Sequence, residues 1–146
     1  MEAAIQEAKL ALVHDDVPVG AVIVKEGKII SKAHNKRFVD KDTTAHAEIL
    51  AIKEACAFFN SQFLDGCDIY VTCEPCAMCA GAIIQARISN LYFGAYDEKA
   101  GCAGSVINLF DTSFNHKVFV KGGILEEETS ALLKEFFKKK RIKNNE

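Results

Sequence analysis

Hydrophobic and polar positions follow two different periods along this chain of 146 residues. Apolar residues at helical spacing predict four helices, over residues 2–14, 45–59, 76–87 and 126–141. Runs of β-branched and aromatic residues predict five strands, over residues 18–24, 28–33, 69–72, 91–95 and 117–120. Thr43 and Thr44 can cap the second helix. The order of these elements predicts a three-layer α/β fold, in which a mixed five-stranded sheet carries helices on both faces.

The strand over 69–72, the helix that follows it and the strand over 91–95 form a βαβ unit. Such a unit is expected to have parallel strands and a right-handed crossover. Its ligands bind at the carboxyl ends of the strands, where Cys76 lies. Residues 96–115 form a long loop rich in Gly, Ala and Asp, and a loop of this length inside a compact domain usually has a function. We therefore expect the functional residues near Cys76 and along this loop.

Two cysteines open the third predicted helix. Pro75 is suited to the first helical position, and Cys76 and Cys79, three positions apart, share one face of the first turn. The positive end of the helix dipole favours thiolates, which are the metal-binding form. His46, at the start of another helical run, is the best third ligand. A site with three protein ligands leaves a fourth position for water, as catalytic zinc sites do.

Glu48 lies two residues after His46, about 200° further around a helix, so the pair is not expected to bind one ion side by side. A glutamate close to the metal but not bound to it suits a proton carrier for a zinc-activated water. Glu48 as an ordinary acid in a helix first turn is the simpler alternative. Cys73 is a rival ligand, although its position on the strand favours packing in the core. A Cys-x-x-Cys pair on its own is also compatible with redox chemistry or half of a structural zinc site.

Length and composition limit the class of protein. The chain is long enough for one domain over residues 1–146 with a substantial core. No window reaches the roughly 18 apolar residues of a membrane span, and the start of the chain lacks the basic segment of a signal peptide. Two of the six cysteines have metal spacing and the others lie in apolar runs, so reduced thiols are expected. These features predict a soluble, cytoplasmic protein that does not contact membranes.

The charge is unevenly distributed. The net charge is −2, which argues against a general nucleic-acid binder. Residues 134–143, however, contain six basic residues and one acidic residue. The apolar stripe of this helix contains two adjacent aromatics, Phe136 and Phe137, which point about 100° apart, so one of them is expected to be exposed. Basic residues at a helix end are also favoured by the dipole in any protein, so nucleic-acid contact there is one of two interpretations.

With both metal motifs in place, the chain resembles the bacterial tRNA-specific adenosine deaminases (TadA type), which have a cytidine deaminase-like fold. The metal motifs alone indicate a deaminase, whereas the loop over 94–105 and the ending with two phenylalanines and basic residues indicate the tRNA branch. The resemblance covers nearly the whole chain, and it is carried by Asn35 and by residues 18–22, 44–48, 74–82, 93–97, 103–105, 115–116 and 132–141.

The resemblance implies hydrolytic conversion of adenosine to inosine at the wobble position of a tRNA anticodon. One Zn²⁺ per subunit would be held by His46, Cys76 and Cys79, with Glu48 as the proton shuttle for the activated water. The resemblance also assigns the substrate contacts. Asn35 holds the base or sugar, the Ala47 N–H meets the purine edge, Asp97 contacts the ribose 2′-OH, and the anticodon loop lies on Phe137, Lys138, Lys140 and Arg141. Asp97 as a plain turn residue is the competing interpretation.

The resemblance further implies a homodimer, with RNA and not DNA as the substrate. Two alternatives remain at this point. A small-molecule deaminase acting on guanine, cytosine or a nucleoside shares the metal site but does not need a basic, aromatic tail. A non-catalytic zinc protein that binds RNA predicts a fourth protein ligand and no turnover.

Overall fold

The structure is a computed structural model, and it describes residues 1–144. Four helices are present: α1 (Glu2–Ala11), α2 (Ala47–Phe59), α3 (Ala77–Gln85) and α4 (Glu126–Asn144). Five strands are present: β1 (Gly20–Lys25), β2 (Lys28–His34), β3 (Cys67–Cys73), β4 (Asn90–Ala95) and β5 (Phe119–Lys121). A short 3-10 turn, Leu12–His14, extends α1. All nine predicted elements are confirmed, with bounds that shift by a few residues.

The five strands form one sheet in the order β2-β1-β3-β4-β5. β1 is antiparallel to both β2 and β3, whereas β3, β4 and β5 run parallel. The predicted mixed sheet and its parallel βαβ unit are therefore confirmed. The carboxyl ends of β3 and β4 lie side by side, because Cys73 pairs with Ala95. This edge of the sheet leads directly into α3 on one strand and into the long loop on the other.

Helices cover both faces of the sheet, as predicted. α2 packs on β1 and β2 and also contacts α3, and its buried alanines join the main core with Ile23, Ile69 and Phe93. α1 packs on β1, β2 and β3 through a separate set of small residues. Gly20 permits this close approach, because a Cβ there would lie 2.0 Å from the Ala4 carbonyl oxygen. α4 contacts β4 and β3.

Two predicted helix starts were wrong in detail. α2 begins at Ala47 with His46 at its N-cap, and the Thr44 hydroxyl donates instead to the Asp42 carboxylate, so neither Thr43 nor Thr44 caps the helix. α3 begins at Ala77 with Cys76 as an extended N-cap residue (φ −74°, ψ 178°), so Pro75 lies outside the helix. In both helices, a predicted metal ligand occupies the N-cap.

The segment between β4 and β5 is a long loop, interrupted by one isolated bridge between Ala103 and Asn108. On α4, Phe136 is buried while Phe137 is 45% exposed, which confirms that only one of the two phenylalanines packs inward. Within residues 1–144, none of the helices combines the length and the apolar character needed to cross a membrane.

Candidate metal centre and active site

His46 is held in an extended conformation immediately before α2 (φ −76°, ψ 150°). It therefore does not share the helical geometry of Glu48, and the predicted angle of about 200° between the two side chains does not apply. The N-cap position directs the imidazole toward the start of α3, where its Nδ1 lies near both Cys76 and Cys79.

The three predicted ligand atoms meet in one place. His46 Nδ1 lies 3.7 Å from Cys76 Sγ and 3.6 Å from Cys79 Sγ, and all three atoms are within 4.8 Å of one another. A tetrahedral zinc with bonds of about 2.3 Å to sulfur and about 2.1 Å to nitrogen separates such ligand atoms by about 3.6 Å. Thiolate and imidazole are also donors that suit zinc. The residues present therefore fit a zinc ion without rearrangement.

The three groups shift one another's pKa values. A hydrogen bond from the Cys79 thiol, together with one to His46, lowers the pKa of Cys76 to about 3. The same hydrogen bond and burial raise the pKa of Cys79, and the hydrogen bond to Cys76 raises that of His46. Cys73 is buried outside this group, and burial raises its pKa. Within residues 1–144 this is the only group of three potential metal-binding side chains found.

Glu48 lies beside the three ligand atoms. It occupies the first turn of α2 and is only 4% exposed. Its carboxyl group and the Cys79 thiol are close enough to affect each other's pKa. Burial, followed by the neighbouring Cys76 thiolate, raises the pKa of Glu48. A buried carboxyl group with a raised pKa beside a predicted metal ligand is a candidate proton carrier.

Asn35 connects β2 to the start of α2. Its Oδ1 accepts a hydrogen bond from the Ala47 N–H at 2.8 Å, and its Nδ2 donates to the Val17 carbonyl at 3.2 Å. Both Asn35 and Ala47 are buried. Asn35 thus acts as the cap that the threonines do not provide, and the Ala47 N–H that was predicted to meet a purine already has a protein partner. Their predicted substrate contacts stay predictions.

Asp97 lies on the long loop, close to the carboxyl end of β4. Its Oδ1 accepts hydrogen bonds from the backbone N–H groups of Lys99 and Ala100, each at 3.1 Å. This is the turn role that competed with a substrate role, and it occupies one oxygen of the carboxylate. The half-buried Asp97 lies near Cys73, whose pKa it helps to raise. The loop therefore brings Asp97 to the same edge of the sheet as the metal ligands.

The four predicted RNA contacts of α4 differ in their surroundings. Phe137, Lys138 and Arg141 are exposed. Lys140 donates to the Asp15 carboxylate at 2.9 Å and lies near the rings of Phe38 and Phe136. Lys140 is therefore already engaged with the end of α1, unlike its neighbours.

One buried acid, Glu74, was not predicted as a site residue. It follows β3 directly, and its carboxylate accepts hydrogen bonds from the long loop. Burial alone would raise its pKa, but the hydrogen bonds from the Ser105 hydroxyl and from three backbone N–H groups lower it. The only signal in the sequence was an acidic residue in front of Pro75, which does not indicate partners some 30 residues away.

The fold and this site define a deaminase of the cytidine deaminase-like class. The family of MafB19-like deaminases matches residues 1–141. A tRNA-specific adenosine deaminase of Aquifex aeolicus is 53% identical over 146 residues, which cover 99% of this chain and 95% of the relative.

Two solved structures extend the comparison. One comes from a study of A-to-I editing by tRNA:A34 deaminases at the wobble position of transfer RNA. It superimposes with a TM-score of 0.88 and is 43% identical, and the match covers 91% of this chain and 97% of that one. The other is a guanine deaminase of Bacillus subtilis, with a TM-score of 0.65, 34% identity, and coverage of 89% and 87%. On the strength of the sequence relatives and the family match, this chain belongs to the bacterial tRNA-specific adenosine deaminases, within the MafB19-like deaminase family.

Proposed function

We propose that this protein converts adenosine to inosine at the wobble position of a tRNA anticodon by hydrolytic deamination. The observation that carries the proposal is the meeting of His46, Cys76 and Cys79 with the buried carboxyl group of Glu48 beside them. Relatives 43–53% identical over nearly the whole chain are tRNA-specific adenosine deaminases, which supports tRNA as the substrate. This reaction belongs in the cytoplasm, where tRNA is available.

His46, Cys76 and Cys79 would hold one zinc ion per chain. When bound, zinc supplies a Lewis acid that makes a water molecule nucleophilic near neutral pH. Glu48 would accept a proton from the attacking water and deliver it to N1 of adenine as the water oxygen adds to C6. Glu48 would next carry the remaining proton of the new C6 hydroxyl to the exocyclic nitrogen, so that the C6–N bond breaks, ammonia leaves and the C6 carbonyl of inosine remains. General acid–base help of this kind typically contributes about 10²–10⁴-fold in rate.

The surroundings of the site favour RNA as the substrate. The long loop brings Asp97 to the edge of the sheet where the candidate metal ligands lie. Its Oδ1 accepts the hydrogen bonds of the turn, and its Oδ2 takes no part in that turn. A contact to the ribose 2′-OH at this place would distinguish RNA from DNA. The exposed Phe137 offers a stacking surface, and Lys138 and Arg141 offer cations for phosphates. The reacting adenosine must be turned out of its stack, as a single-stranded anticodon loop allows.

A homodimer is part of this proposal. Met78 lies between the two cysteine ligands and is 37% exposed, and Phe58 on α2 is 66% exposed. A second copy seated against Met78 would cover apolar surface beside the candidate metal ligands. Light scattering of the purified protein would give twice the mass of one chain. A monomer at micromolar concentration would contradict this part of the proposal.

The experiment that tests the function compares substrates. The purified zinc-loaded protein is incubated with an anticodon stem-loop that has adenosine at the wobble position, the same stem-loop with adenosine one position away, free adenosine and free guanine. Ammonia release and inosine mapping report turnover. We expect turnover of the first RNA only. Turnover of free guanine without RNA turnover would favour a small-molecule deaminase like the Bacillus subtilis neighbour, and no turnover of any substrate would contradict the proposal.

A further inference from the structure

Glu74 has an unusual set of partners for a buried acid. It is 3% exposed, and among residues 1–144 no basic side chain forms an ion pair with it. Its Oε1 accepts from the Asp97 N–H at 3.0 Å and from the Ser105 hydroxyl at 2.5 Å. Its Oε2 accepts from the Ala103 N–H at 2.9 Å and from the Ser105 N–H at 3.0 Å. Four donors from one loop therefore satisfy a carboxylate that would otherwise be costly to bury.

The backbone around Glu74 is tied to the same segment. The Glu74 N–H donates to the Ala95 carbonyl at 2.8 Å, and the Pro75 carbonyl accepts from the Cys102 N–H at 2.8 Å. The loop also passes so close that a Cβ at Gly101 would lie 2.3 Å from the Glu74 carboxyl carbon. Only glycine fits at position 101, because any larger residue would displace the Glu74 carboxylate and its four hydrogen bonds.

The position of Glu74 in the chain links two functional segments. It lies two residues before the ligand Cys76, and one of its four donors is the N–H of Asp97. From this geometry we propose that Glu74 is a positioning residue, which holds the loop over 97–105 at a fixed place relative to the metal ligands so that Asp97 meets the nucleotide. This inference rests on the proposed function for the role of Asp97, but the attachment of the loop to Glu74 can be tested without any turnover.

Glu74→Gln is the informative substitution, because it preserves shape and changes only hydrogen-bonding capacity. The amide oxygen can still accept from two N–H groups, as Oε2 does now with those of Ala103 and Ser105. The amide NH₂ then faces the Ser105 hydroxyl, which can reverse and accept, and the Asp97 N–H, which cannot. The expected consequence is one unsatisfied donor at Asp97, while Cys76 and Cys79 stay in place.

We expect Glu74→Gln to retain one zinc per chain and to be cleaved faster by trypsin after the exposed Lys99, with the site of cleavage read by mass spectrometry. With the anticodon stem-loop, we expect KM to rise roughly 10- to 100-fold with a smaller change in kcat, as for a lost positioning contact. Ser105→Ala, which removes one of the four donors, serves as a milder variant that should fold normally and move in the same direction. Glu54→Gln, an exposed acid on α2, is the charge-matched control.

Unchanged trypsin cleavage after Lys99 in both Glu74→Gln and Ser105→Ala would overturn the inference. Loss of zinc from Glu74→Gln with an intact loop would also overturn it, because Glu74 would then act on the metal ligands. If the wild-type protein does not turn over RNA, the proposed function fails, while the cleavage and zinc measurements still decide whether Glu74 anchors the loop.

Discussion

Replacing Asn35 with alanine tests how the metal centre is held together. The Asn35 side chain accepts from the Ala47 N–H at 2.8 Å and donates to the Val17 carbonyl at 3.2 Å. Asn35 and Ala47 are buried, and Val17 is half-buried. Alanine leaves the first N–H of α2 without an acceptor. It also leaves the Val17 carbonyl without its side-chain donor.

The cost can be worked out from these two bonds. An unsatisfied buried donor costs about 1–3 kcal/mol, and loss of a further neutral hydrogen bond costs about 0.5–1.5 kcal/mol. We therefore expect Asn35→Ala to lower the free energy of unfolding by about 2–4 kcal/mol. At about 2–4 °C per kcal/mol for a protein of this size, Tm should fall by about 5–15 °C. Since His46 directly precedes Ala47, zinc affinity should fall as well.

The assay is thermal unfolding of the metal-free protein, followed by circular dichroism, together with zinc competition against a chromophoric chelator. Asn35→Asp keeps the acceptor for Ala47 and places an acid at a helix N-terminus, where it is favourable, so it should bind zinc better than Asn35→Ala. Gln62→Ala replaces an exposed amide and is the control. If Asn35→Ala unfolds within 2 °C of wild type, on the ~2–4 °C per kcal/mol scale, and binds zinc equally well, the capping role is refuted.

Three further outcomes are expected. Glu48→Gln should retain zinc and lose deamination by about 10²–10⁴-fold, with Glu54→Gln as control, and retained turnover would contradict the proton-shuttle role. Asp97→Asn keeps Oδ1 as the acceptor of the turn but removes the negative charge. It should therefore reduce the preference for a ribose over a deoxyribose at the target nucleotide. An unchanged RNA-to-DNA ratio of kcat/KM would count against the 2′-OH contact. Arg141→Ala should reduce the salt dependence of RNA binding by about one phosphate contact. Lys140→Ala should change the salt dependence less, because Lys140 is already paired with Asp15. Equal effects of the two substitutions would show that this ion pair opens when RNA binds.

The sequence predicted the elements well because their signals are local. The helical and strand spacing of apolar residues depends on neighbours in the chain, and so does the exposure of one phenylalanine in the pair Phe136 and Phe137. The candidate ligands could also be predicted from the sequence. Cys76 and Cys79 are three residues apart, and His46 lies at the start of another helical run. These short-range patterns were sufficient for the parallel βαβ unit at the site and for three candidate ligands whose atoms meet in the structure.

The predictions that failed concern hydrogen bonds between distant residues. Thr43 and Thr44 are good caps by type, yet the cap of α2 is Asn35, which is 12 positions before Ala47. Glu74 gave no signal because its four donors lie 23 to 31 residues away. Such partners depend on how two loops return to the same edge of the sheet, and a one-dimensional pattern does not contain this information.

These two distant attachments fix two loops relative to the candidate metal ligands. The Bacillus subtilis guanine deaminase is similar in fold to this chain, so the fold does not itself select the substrate. Selection must come from the loops around it, which have few regular hydrogen bonds of their own and would otherwise move independently of the metal. In this chain each loop has a buried polar anchor, Asn35 before α2 and Glu74 before α3, next to a predicted ligand. Substitutions on the outer side of either loop should therefore change substrate preference and leave zinc binding intact, whereas substitutions at Asn35 should affect both.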